Sequence, residues 1–426
     1  MSDNASNQLI EIDSTVFNPF SPDFVQQPHE TWQRLLQDYP IAWHKELQMW
    51  VVNSHELCGA MLKDNRFTPN FRMWEHAPPE KPEAEKNDFD KAFDHSLFTV
   101  PQKQHLKLRK LTMPAFSKPV MGKIYGKIED LVTECFDDIG DAEEFDVYDA
   151  IANKLPVRAI ARMVGVPTDR EAFFHDFAVN LIQATRPNLS PAKREEAIQG
   201  TLPGFALFKE LINERRAREH PGDDFLGSLV GASEDGDSLD DYDILAVIFA
   251  LIAAGSDTAT DLHTFAIKGL LENPDQMAKL REKPELMENA IIELLRHGSM
   301  GKLPFFRFAS EDIDFGGQRI GKGKCILVNL TAAWNDPDKY PEPHKLDIER
   351  NLDGSLVFGA GAHFCIGTYL VRVQGGLMIS EFLKRFPDAE LANGDGDIDY
   401  DYSHHNARRI NRLRVKTNRG AGRKAA

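Results

Sequence analysis

The sequence predicts a mainly α-helical protein with small β-sheets, built as one large domain. Apolar residues recur at helical spacing along most of the 426 residues, whereas strand-like patterns are confined to two short regions, 41–53 and 304–330. The chain has no internal repeat and no linker-like segment that would separate two domains. Long helices and a small sheet component of this total length are sufficient to bury one large core.

The individual elements are predicted from periodicity and from turn residues. Residues 28–38 have an amphipathic helical pattern, and Ile41–His44 and Met49–Asn53 follow as two short strands. A polar, proline-rich stretch at 77–90 is predicted to be a long loop, a type that is usually functional or mobile within a compact domain. Helical patterns then occupy five further segments: 103–113, 119–139, 170–185, 192–219 and 239–272.

Proline and glycine punctuate the second half of the chain. Pro274 and Pro284 suit the first positions of helices, and Gly298 suits a helix stop. Turns at glycine separate the short strands of 304–330. The last long helix is predicted to start near Gly367 and to end at about residue 385.

Composition and charge exclude several classes of protein. Fifty lysines and arginines against sixty-six aspartates and glutamates give a net charge of −16, which argues against a general nucleic-acid-binding protein. Cys58, Cys135, Cys325 and Cys365 are too few and too dispersed for a disulfide framework or a structural zinc site. They favour a reducing, cytoplasmic setting.

The sequence predicts no targeting segment and no membrane anchor. Residues 1–16 are predicted to be a flexible N-terminus, residues 17–418 the folded domain, and residues 419–426 a basic tail. The longest apolar run, 244–255, is shorter than the roughly twenty residues that span a bilayer. It is therefore predicted to be a helix buried in the core.

The strongest chemical signal is a glycine-rich loop that carries a cysteine, FGAGAHFCIG, from Phe358 to Gly367. Glycines let a backbone approach a large flat ligand closely, and the N-terminus of a following helix favours a thiolate. An isolated cysteine in this position is more often a buried residue near a helix cap. The complete pattern, however, resembles the haem-binding loop of the cytochrome P450 family. The resemblance implies that Cys365 is the axial ligand of a haem b iron and that Phe358, Gly359 and Gly367 contact the haem.

A charged set upstream fits the same resemblance. Glu293 and Arg296 lie three residues apart on one helical face, a spacing that alone indicates only a surface ion pair. They precede Cys365 at the distance usual in the family, and Arg350 matches the later arginine that joins them. The resemblance implies that these three residues form a structural network and have no catalytic role.

The segment from Ala254 to Thr258 places an acid and an alcohol within the most apolar predicted helix. One interpretation is structural, with the Thr258 hydroxyl bonded to a carbonyl one turn back and Asp257 in a surface ion pair. The other follows from a resemblance to the family's oxygen-activation motif. It implies that Ala254 borders the haem, that Asp257 and Thr258 supply protons, and that the helix opens locally near Gly255.

Basic residues from three segments are predicted to hold the two haem carboxylates. His105 and Arg109 lie at i and i+4 on one helical face and resemble a propionate-binding pair of the family. Arg307 and His363 match two further donors. Each alone is explained equally well as a surface charge, but together they match two carboxylates whose burial needs paired donors.

The resemblance implies a haem-thiolate monooxygenase, an oxidoreductase that inserts one oxygen atom of O2 by hydroxylation or epoxidation. A thiolate ligand favours cleavage of the O–O bond, while the protein supplies orientation and electrostatics. Two alternatives stay open. A haem-thiolate peroxygenase or isomerase typically lacks the acid–alcohol pair, and a non-catalytic haem sensor normally carries a signalling domain.

Electrons are predicted to come from NAD(P)H through separate partners, a ferredoxin or flavodoxin with its reductase, because the chain has no ferredoxin-like cysteine cluster. The substrate is expected to be a medium to large hydrophobic molecule, such as a terpenoid, steroid, fatty acyl or polyketide compound of secondary metabolism, because the pocket is mainly apolar by family analogy. The predicted substrate-binding residues are Phe249, Ala250, Leu303, Pro304 and Phe305.

A basic segment is the expected docking surface for the electron donor. Between Asp94 and Glu129 the sequence has no acidic residue but seven basic ones, so this segment carries +7 in a chain of −16. A solvated helical face is the alternative interpretation. With Arg109 assigned to a propionate, six lysines are expected to be free for an acidic partner. The seven residues are Lys103, Lys107, Arg109, Lys110, Lys118, Lys123 and Lys127.

Overall fold

The computed structural model describes residues 9–187, 189–234, 236–302, 305–395 and 398–418. Helices dominate this described part of the chain, and its strands form small sheets. The α-helices are Pro22–Gln26 (α1), His29–Asp38 (α2), His55–Lys63 (α3), Asp88–Asp94 (α4), Gln102–Thr112 (α5), Lys118–Asp137 (α6), Leu155–Val164 (α7), Glu171–Thr185 (α8), Pro191–Arg216 (α9), Phe225–Val230 (α10), Asp241–Glu272 (α11), Pro274–Glu282 (α12), Met287–Gly298 (α13), Leu330–Ala333 (α14) and Thr368–Arg385 (α15). The strands are Glu11–Ile12 (β1), Ile41–His44 (β2), Met49–Val52 (β3), Phe67–Thr68 (β4), Glu144–Asp146 (β5), Ser233–Glu234 (β6), Asp237–Ser238 (β7), Phe306–Ala309 (β8), Ile313–Phe315 (β9), Gln318–Ile320 (β10), Cys325–Val328 (β11), Glu390–Asp395 (β12), Asp399–Tyr400 (β13), Ile410–Arg412 (β14) and Arg414–Lys416 (β15).

The mainly α fold with small sheets is confirmed, and the long helices lie where the sequence predicts them. α2, α5, α6, α8, α9, α11 and α15 begin and end within three residues of the predicted limits. Pro274 begins α12, and Gly298 ends α13. The sequence prediction missed α3 and α7, although Ser54 caps the first of these and a left-handed Gly165 ends the second.

Two predicted irregular segments contain regular structure. The expected flexible N-terminus 1–16 includes β1, which pairs in parallel with β2 through Glu11 and Trp43, so this prediction is wrong for the strand. Residues 1–8 and the predicted basic tail 419–426 lie outside the described residues. The predicted loop at 77–90 contains a short 3-10 turn, Glu83–Glu85, and its end already belongs to α4.

The chain divides into two compact units. The first comprises residues up to Pro79, Ile292–Cys365 and Tyr400–Arg409. It contains a six-stranded sheet in the order β1-β2-β3-β11-β8-β4. Its core packs Phe24 edge-on against Trp32 at 5.9 Å between ring centroids, next to buried sheet residues such as Val51 and Leu327. This sheet positions β8, which carries Arg307, and the loop of Cys365 belongs to the same unit.

The second unit comprises Glu80–Ile291, Ile366–Asp399 and the chain from Ile410 onward. Its central element is α11, a 32-residue helix that begins with a capping box between Asp240 and Asp243. α11 is long and apolar enough to span a membrane by length and composition, but 67% of its most apolar window is buried inside the protein. Burial on this scale is expected of a core helix, as the sequence predicts.

Candidate functional site

The cysteine loop of the first unit has a defined backbone conformation. The Cys365 amide donates to the carbonyl of Phe358 at 3.0 Å and so closes the loop. Gly359 and Gly361 both have φ of +70°, in the left-handed region that favours glycine. A Cβ on Gly361 would lie 2.4 Å from the carbonyl oxygen of Leu62, whereas a Cβ on Gly359 would meet nothing within 4 Å. The backbone at Gly361 is therefore packed tightly against Leu62, whereas there is free space beside the backbone at Gly359.

Cys365 differs from the other three cysteines in its environment. Cys58, Cys135 and Cys325 are buried, whereas Cys365 is half-buried. Burial raises the pKa of Cys135 and Cys58 and raises that of Cys325 to about 12, so these three thiols stay protonated. Cys365 alone among the four is half-buried and lies in a glycine-rich loop, a combination that suits a metal-ligating thiolate.

Arg307 is a buried cation without a carboxylate partner in the described residues. Its side chain is 6% exposed, and its hydrogen bond is donated by Nη1 to the carbonyl of Phe306 at 2.9 Å. Desolvation lowers the pKa of Arg307 to about 10. A buried guanidinium that lacks an anion is costly, so this position is suited to a carboxylate of a bound group such as a haem propionate. His363, in the 3-10 turn Gly361–His363 of the same unit, is half-buried.

The structure brings Glu293, Arg296 and Arg350 together, as predicted. Arg296 binds Glu293 through two hydrogen bonds, Nε to Oε2 at 2.7 Å and Nη2 to Oε1 at 2.8 Å. Arg350 donates from Nε to Oε1 at 3.1 Å. Glu293 and Arg296 are fully buried, and Arg296 also donates to the carbonyls of Trp334 and Pro343. Every charge in this network has several hydrogen-bond partners, which indicates that the network stabilises the fold around the end of α13.

α11 has one open face in an otherwise buried helix. Exposed or half-buried residues recur at Ala250, Ala254, Asp257 and Thr258, a spacing that places them on one side of the helix. Small alanines and two polar groups on this face leave room for a ligand and supply a carboxylate and a hydroxyl. Thr258 donates from Oγ1 to the carbonyl of Ala254 at 2.5 Å.

The predicted opening of α11 near Gly255 is not found, so that expectation is wrong for this structure. The helix is regular from Asp241 to Glu272. Gly255 lies against α7, since a Cβ there would be 3.5 Å from Cδ1 of Ile160. The Thr258 hydroxyl adds a bond to the Ala254 carbonyl without displacing the helix. The structural interpretation of this hydroxyl bond is therefore correct for the geometry.

The other predicted propionate pair lies on α5 of the second unit. His105 is 1% exposed, and Arg109, one turn further along, is half-buried. Both side chains thus share a helical face that is partly shielded from solvent. Their role in binding a haem carboxylate remains a prediction.

The predicted substrate residues have different environments. Phe249 is buried on α11, with its ring centroid 5.6 Å from Phe89 and 5.8 Å from Phe93 of α4. Ala250 is half-buried on the open face, and Phe305 is 40% exposed. Phe249 therefore positions α4 by packing, and direct contact with a substrate remains a prediction. Leu303 and Pro304 lie outside the described residues.

The sequence prediction missed a buried lysine beside this segment. Lys302 is fully buried and donates from Nζ to the carbonyls of Tyr402 and His404, at 3.2 and 2.9 Å. Desolvation lowers the pKa of Lys302 to about 8. Arg408 is also buried and bonds four carbonyls, two of them in Val25 and Gly298. No local signal distinguishes such cations from surface charges, because their partners come from remote segments.

Three of the six lysines expected to be free form ion pairs. Lys107 Nζ lies 2.8 Å from Asp237, and Lys110 Nζ lies 2.8 Å from Glu234. Lys123 Nζ lies 3.0 Å from Asp223. The expectation that these lysines are free is therefore wrong, because acidic residues 100 or more positions away fold back onto them.

The chain is similar to a known protein family over most of its length. The family model of cytochrome P450 matches residues 170–401. The Epothilone C/D epoxidase of Sorangium cellulosum is 30% identical over 395 residues, covering 92% of this chain and 93% of that protein. The polyketide biosynthesis cytochrome P450 PksS of Bacillus subtilis is 29% identical, covering 91% of this chain and 96% of its own. The solved structure of epothilone B-bound cytochrome P450epoK matches with a TM-score of 0.83 and 28% identity, over 94% of this chain and 99% of that one.

Proposed function

Because the chain belongs to the cytochrome P450 family and is therefore a P450 monooxygenase, we propose that it inserts one oxygen atom of O2 into a medium to large hydrophobic molecule of polyketide type. The reaction is a hydroxylation or an epoxidation. The observation that carries the proposal is the loop of Cys365, in which a half-buried cysteine lies within a glycine-rich backbone that the Cys365 amide closes onto the Phe358 carbonyl. Two relatives are named for an epothilone and for polyketide biosynthesis, and this supports a polyketide-type substrate.

The residues present fit a haem. Cys365 would bind the iron, and Phe358, Gly359 and Gly367 would border the ring. At Gly359 a Cβ would meet no atom within 4 Å, which leaves space for a ring beside the backbone. Arg307 would pair with one carboxylate, since among the described residues its buried guanidinium bonds only the carbonyl of Phe306. His105, Arg109 and His363 would supply further donors, and Ala254 would lie beside the ring. Bound to a thiolate, haem supplies the activation of O2.

The side chains of α11 would handle protons. The Thr258 hydroxyl donates a hydrogen bond to the Ala254 carbonyl. Its two lone pairs can still accept a hydrogen bond from a group on the open face. The Asp257 carboxylate is half-buried one position away and would exchange protons with solvent. A positioned acid of this kind typically contributes 10²–10⁴-fold to a proton-assisted step.

The electron source is a further part of the proposal. NAD(P)H would supply electrons through a separate reductase and an acidic ferredoxin, or a flavodoxin in its place. The lysines of α5 and α6 support this choice, because charge complementarity raises association rates, although three of them pair with acidic residues of the chain itself. The presence of the acid–alcohol pair favours the O2-dependent monooxygenase over a peroxygenase, an isomerase or a sensor.

A Cys365→His variant tests the ligand assignment. The reduced carbon monoxide complex of the wild type should show a thiolate-type spectrum, and the variant should lose it. The Cys325→Ser variant, which changes a buried thiol of high pKa, is the matched control and should keep it. A thiolate-type spectrum in Cys365→His would overturn the assignment.

A ligand-binding screen tests the substrate class. Purified ferric protein should give a substrate-type spectral shift with polyketide macrolides and a weaker one with terpenoids, steroids and fatty acids of similar hydrophobicity. Turnover should need O2 together with an electron donor. A shift confined to small terpenoids would refute the polyketide proposal, and turnover with hydrogen peroxide alone would favour the peroxygenase.

A further inference from the structure

The second unit contains an acidic hairpin that the proposed reaction does not use. β6 and β7 pair in antiparallel fashion, with Ser233 opposite Ser238 and Glu234 opposite Asp237. Their described residues are exposed. The segment from Ser233 to Asp243 holds six acidic residues among eleven and no basic one. A short, polar hairpin of this kind buries little apolar surface, so it contributes little to the core.

The hairpin lies on the lysine surface of α5. Asp237 Oδ1 is 2.8 Å from Lys107 Nζ, and Glu234 Oε1 is 2.8 Å from Lys110 Nζ. All four side chains are between 44% and 56% exposed. The two hairpin strands thus each supply one carboxylate to successive turns of the same helix.

The field of the acidic segment extends beyond these two contacts. The hydrogen bond with Asp237 raises the pKa of Lys107, and the charges of Asp243 and Asp240 add to the effect. Several carboxylates of the segment therefore stabilise the charged form of Lys107. The segment neutralises the part of the helix where the sequence alone predicts free positive charge.

Exposed apolar side chains accompany these lysines. Leu106 is 52% exposed and, at helical spacing, shares a face of α5 with Lys103, Lys107 and Lys110. Met113, the first residue after α5, is 47% exposed. Apolar residues within a basic rim are the composition of a protein-binding surface more than of an ordinary helix face. The hairpin carboxylates bind the lysines of this rim.

We propose that the paired strands β6 and β7, through Glu234 and Asp237, form a displaceable acidic cover that competes with an acidic ferredoxin for Lys107 and Lys110. This rests on the ferredoxin proposed above as electron donor. The hairpin imitates the carboxylates of the partner but leaves Leu106 and Met113 exposed, so the partner can add contacts with these two apolar side chains. Exposed ion pairs are weak, so the cover opens readily and lowers the rate of docking without preventing it.

Stopped-flow reduction of the holoprotein by an acidic [2Fe–2S] ferredoxin tests the cover. The Glu234→Gln, Asp237→Asn variant should be reduced roughly two- to tenfold faster than wild type at low ionic strength, as expected when two weak pairs are removed. The difference should vanish at high salt. The matched control, Asp275→Asn with Glu288→Gln, also removes two negative charges, but from α12 and α13. It should react at the wild-type rate.

Hydrogen exchange distinguishes displacement from a general charge effect. When the ferredoxin binds, amides of the hairpin strands should exchange faster, because the hairpin leaves the lysines. Unchanged or slower exchange would overturn the cover, since the hairpin would then stay in place or join the interface. Lysine-to-acid coupling by a carbodiimide should link Lys107 to Asp237 in the free protein, and excess ferredoxin should suppress that link.

The outcomes separate this inference from the proposed function. If ferredoxin reduces wild type and the hairpin variant at equal rates at low salt, the cover is wrong while the electron donor stands. If it reduces neither, although the reduced carbon monoxide complex keeps its thiolate-type spectrum, the proposed donor is wrong and the cover falls with it.

Discussion

At the scale of single residues, the position of Thr258 gives the most direct test of the proposed proton delivery. Its hydroxyl lies on the open face of α11 and bonds the Ala254 carbonyl. Thr258→Ala should bind haem and substrate normally but divert electrons to hydrogen peroxide or water, with the proton-assisted step slowed by roughly 10²- to 10⁴-fold. Product formed per NAD(P)H consumed measures this coupling. Thr260→Ala is the control, because the buried Thr260 hydroxyl also bonds a helix carbonyl, that of Ser256, but on another face. Equal coupling in both variants would make Thr258 structural.

Arg307 makes a second prediction at this scale. Its buried guanidinium lacks an anionic partner in the described residues, so Arg307→Met should stabilise the haem-free protein while weakening haem binding. A charge-assisted bond of about 1.5–3 kcal/mol corresponds to haem loss faster by roughly tenfold to a hundredfold. Haem transfer to an acceptor apoprotein and thermal unfolding of the apoprotein are the measurements. The exposed Arg319→Met should change neither, and unchanged haem loss in Arg307→Met would contradict the carboxylate assignment.

At the scale of elements, α13 is locked by the ion network on its last turns. Glu293→Ala would leave Arg296 and Arg350 without their buried carboxylate, which should cost about 3–5 kcal/mol and leave little haem-loaded protein. Glu288, one turn and a half earlier on the same helix, is 79% exposed and lies 3.5 Å from Arg372. Glu288→Ala should therefore cost at most about 1 kcal/mol. Denaturant unfolding and the haem content of purified protein compare the two, and equal losses would refute the lock.

α4 is held against α11 at both ends. Asp88 accepts bonds from Lys209 Nζ and Tyr242 Oη, at 2.5 and 3.1 Å, and Phe89 packs on Phe249. At the other end, His95 Nδ1 lies 3.0 Å from Asp243 Oδ1. The contact at this second end of α4 therefore includes a histidine, whose charge changes near neutral pH.

The anchoring of α4 should depend on pH. The hydrogen bond with Asp243 raises the pKa of His95 above 6.5, with the charges of Asp240 and Asp94 acting in the same direction and burial opposing them. A raised folded-state pKa contributes stability that is complete below the unfolded value of about 6.5 and is lost as pH rises through the folded value. The difference in melting temperature between wild type and His95→Gln should therefore be largest in acid and shrink as the pH rises. His175→Gln, which changes an exposed histidine of α8, is the control.

At the scale of the whole molecule, charge is unevenly distributed along the chain. A net −16 coexists with +7 between Asp94 and Glu129, and three of those lysines bind acids of residues 223–237. Reduction by an acidic ferredoxin should slow as salt is added, because attraction beyond about 8 Å is screened at physiological ionic strength. Lys103→Glu with Lys118→Glu should slow it further without changing substrate affinity, whereas Lys322→Glu should not. Salt-independent reduction would remove α5 as the docking surface.

The sequence by itself determined what is encoded locally. The cysteine loop, the Glu293–Arg296 spacing and the polar pair inside α11 each lie within a few residues, so their chemistry and their helical faces follow from spacing. The long helices were predictable for the same reason, because apolar periodicity needs no knowledge of the packing partner. The family resemblance rests on these local motifs.

Tertiary structure alone decided which side chains meet across long sequence separations. It buried Lys302 and Arg408 on backbone carbonyls, packed Phe249 against α4, paired β1 with β2 and brought Asp237 onto Lys107. Spacing carries no information about such contacts, since a lysine with a free charge and one bound to a remote carboxylate have the same local sequence. The lysines of α5 can be read from the sequence, but their pairing with the acidic hairpin depends on the tertiary structure.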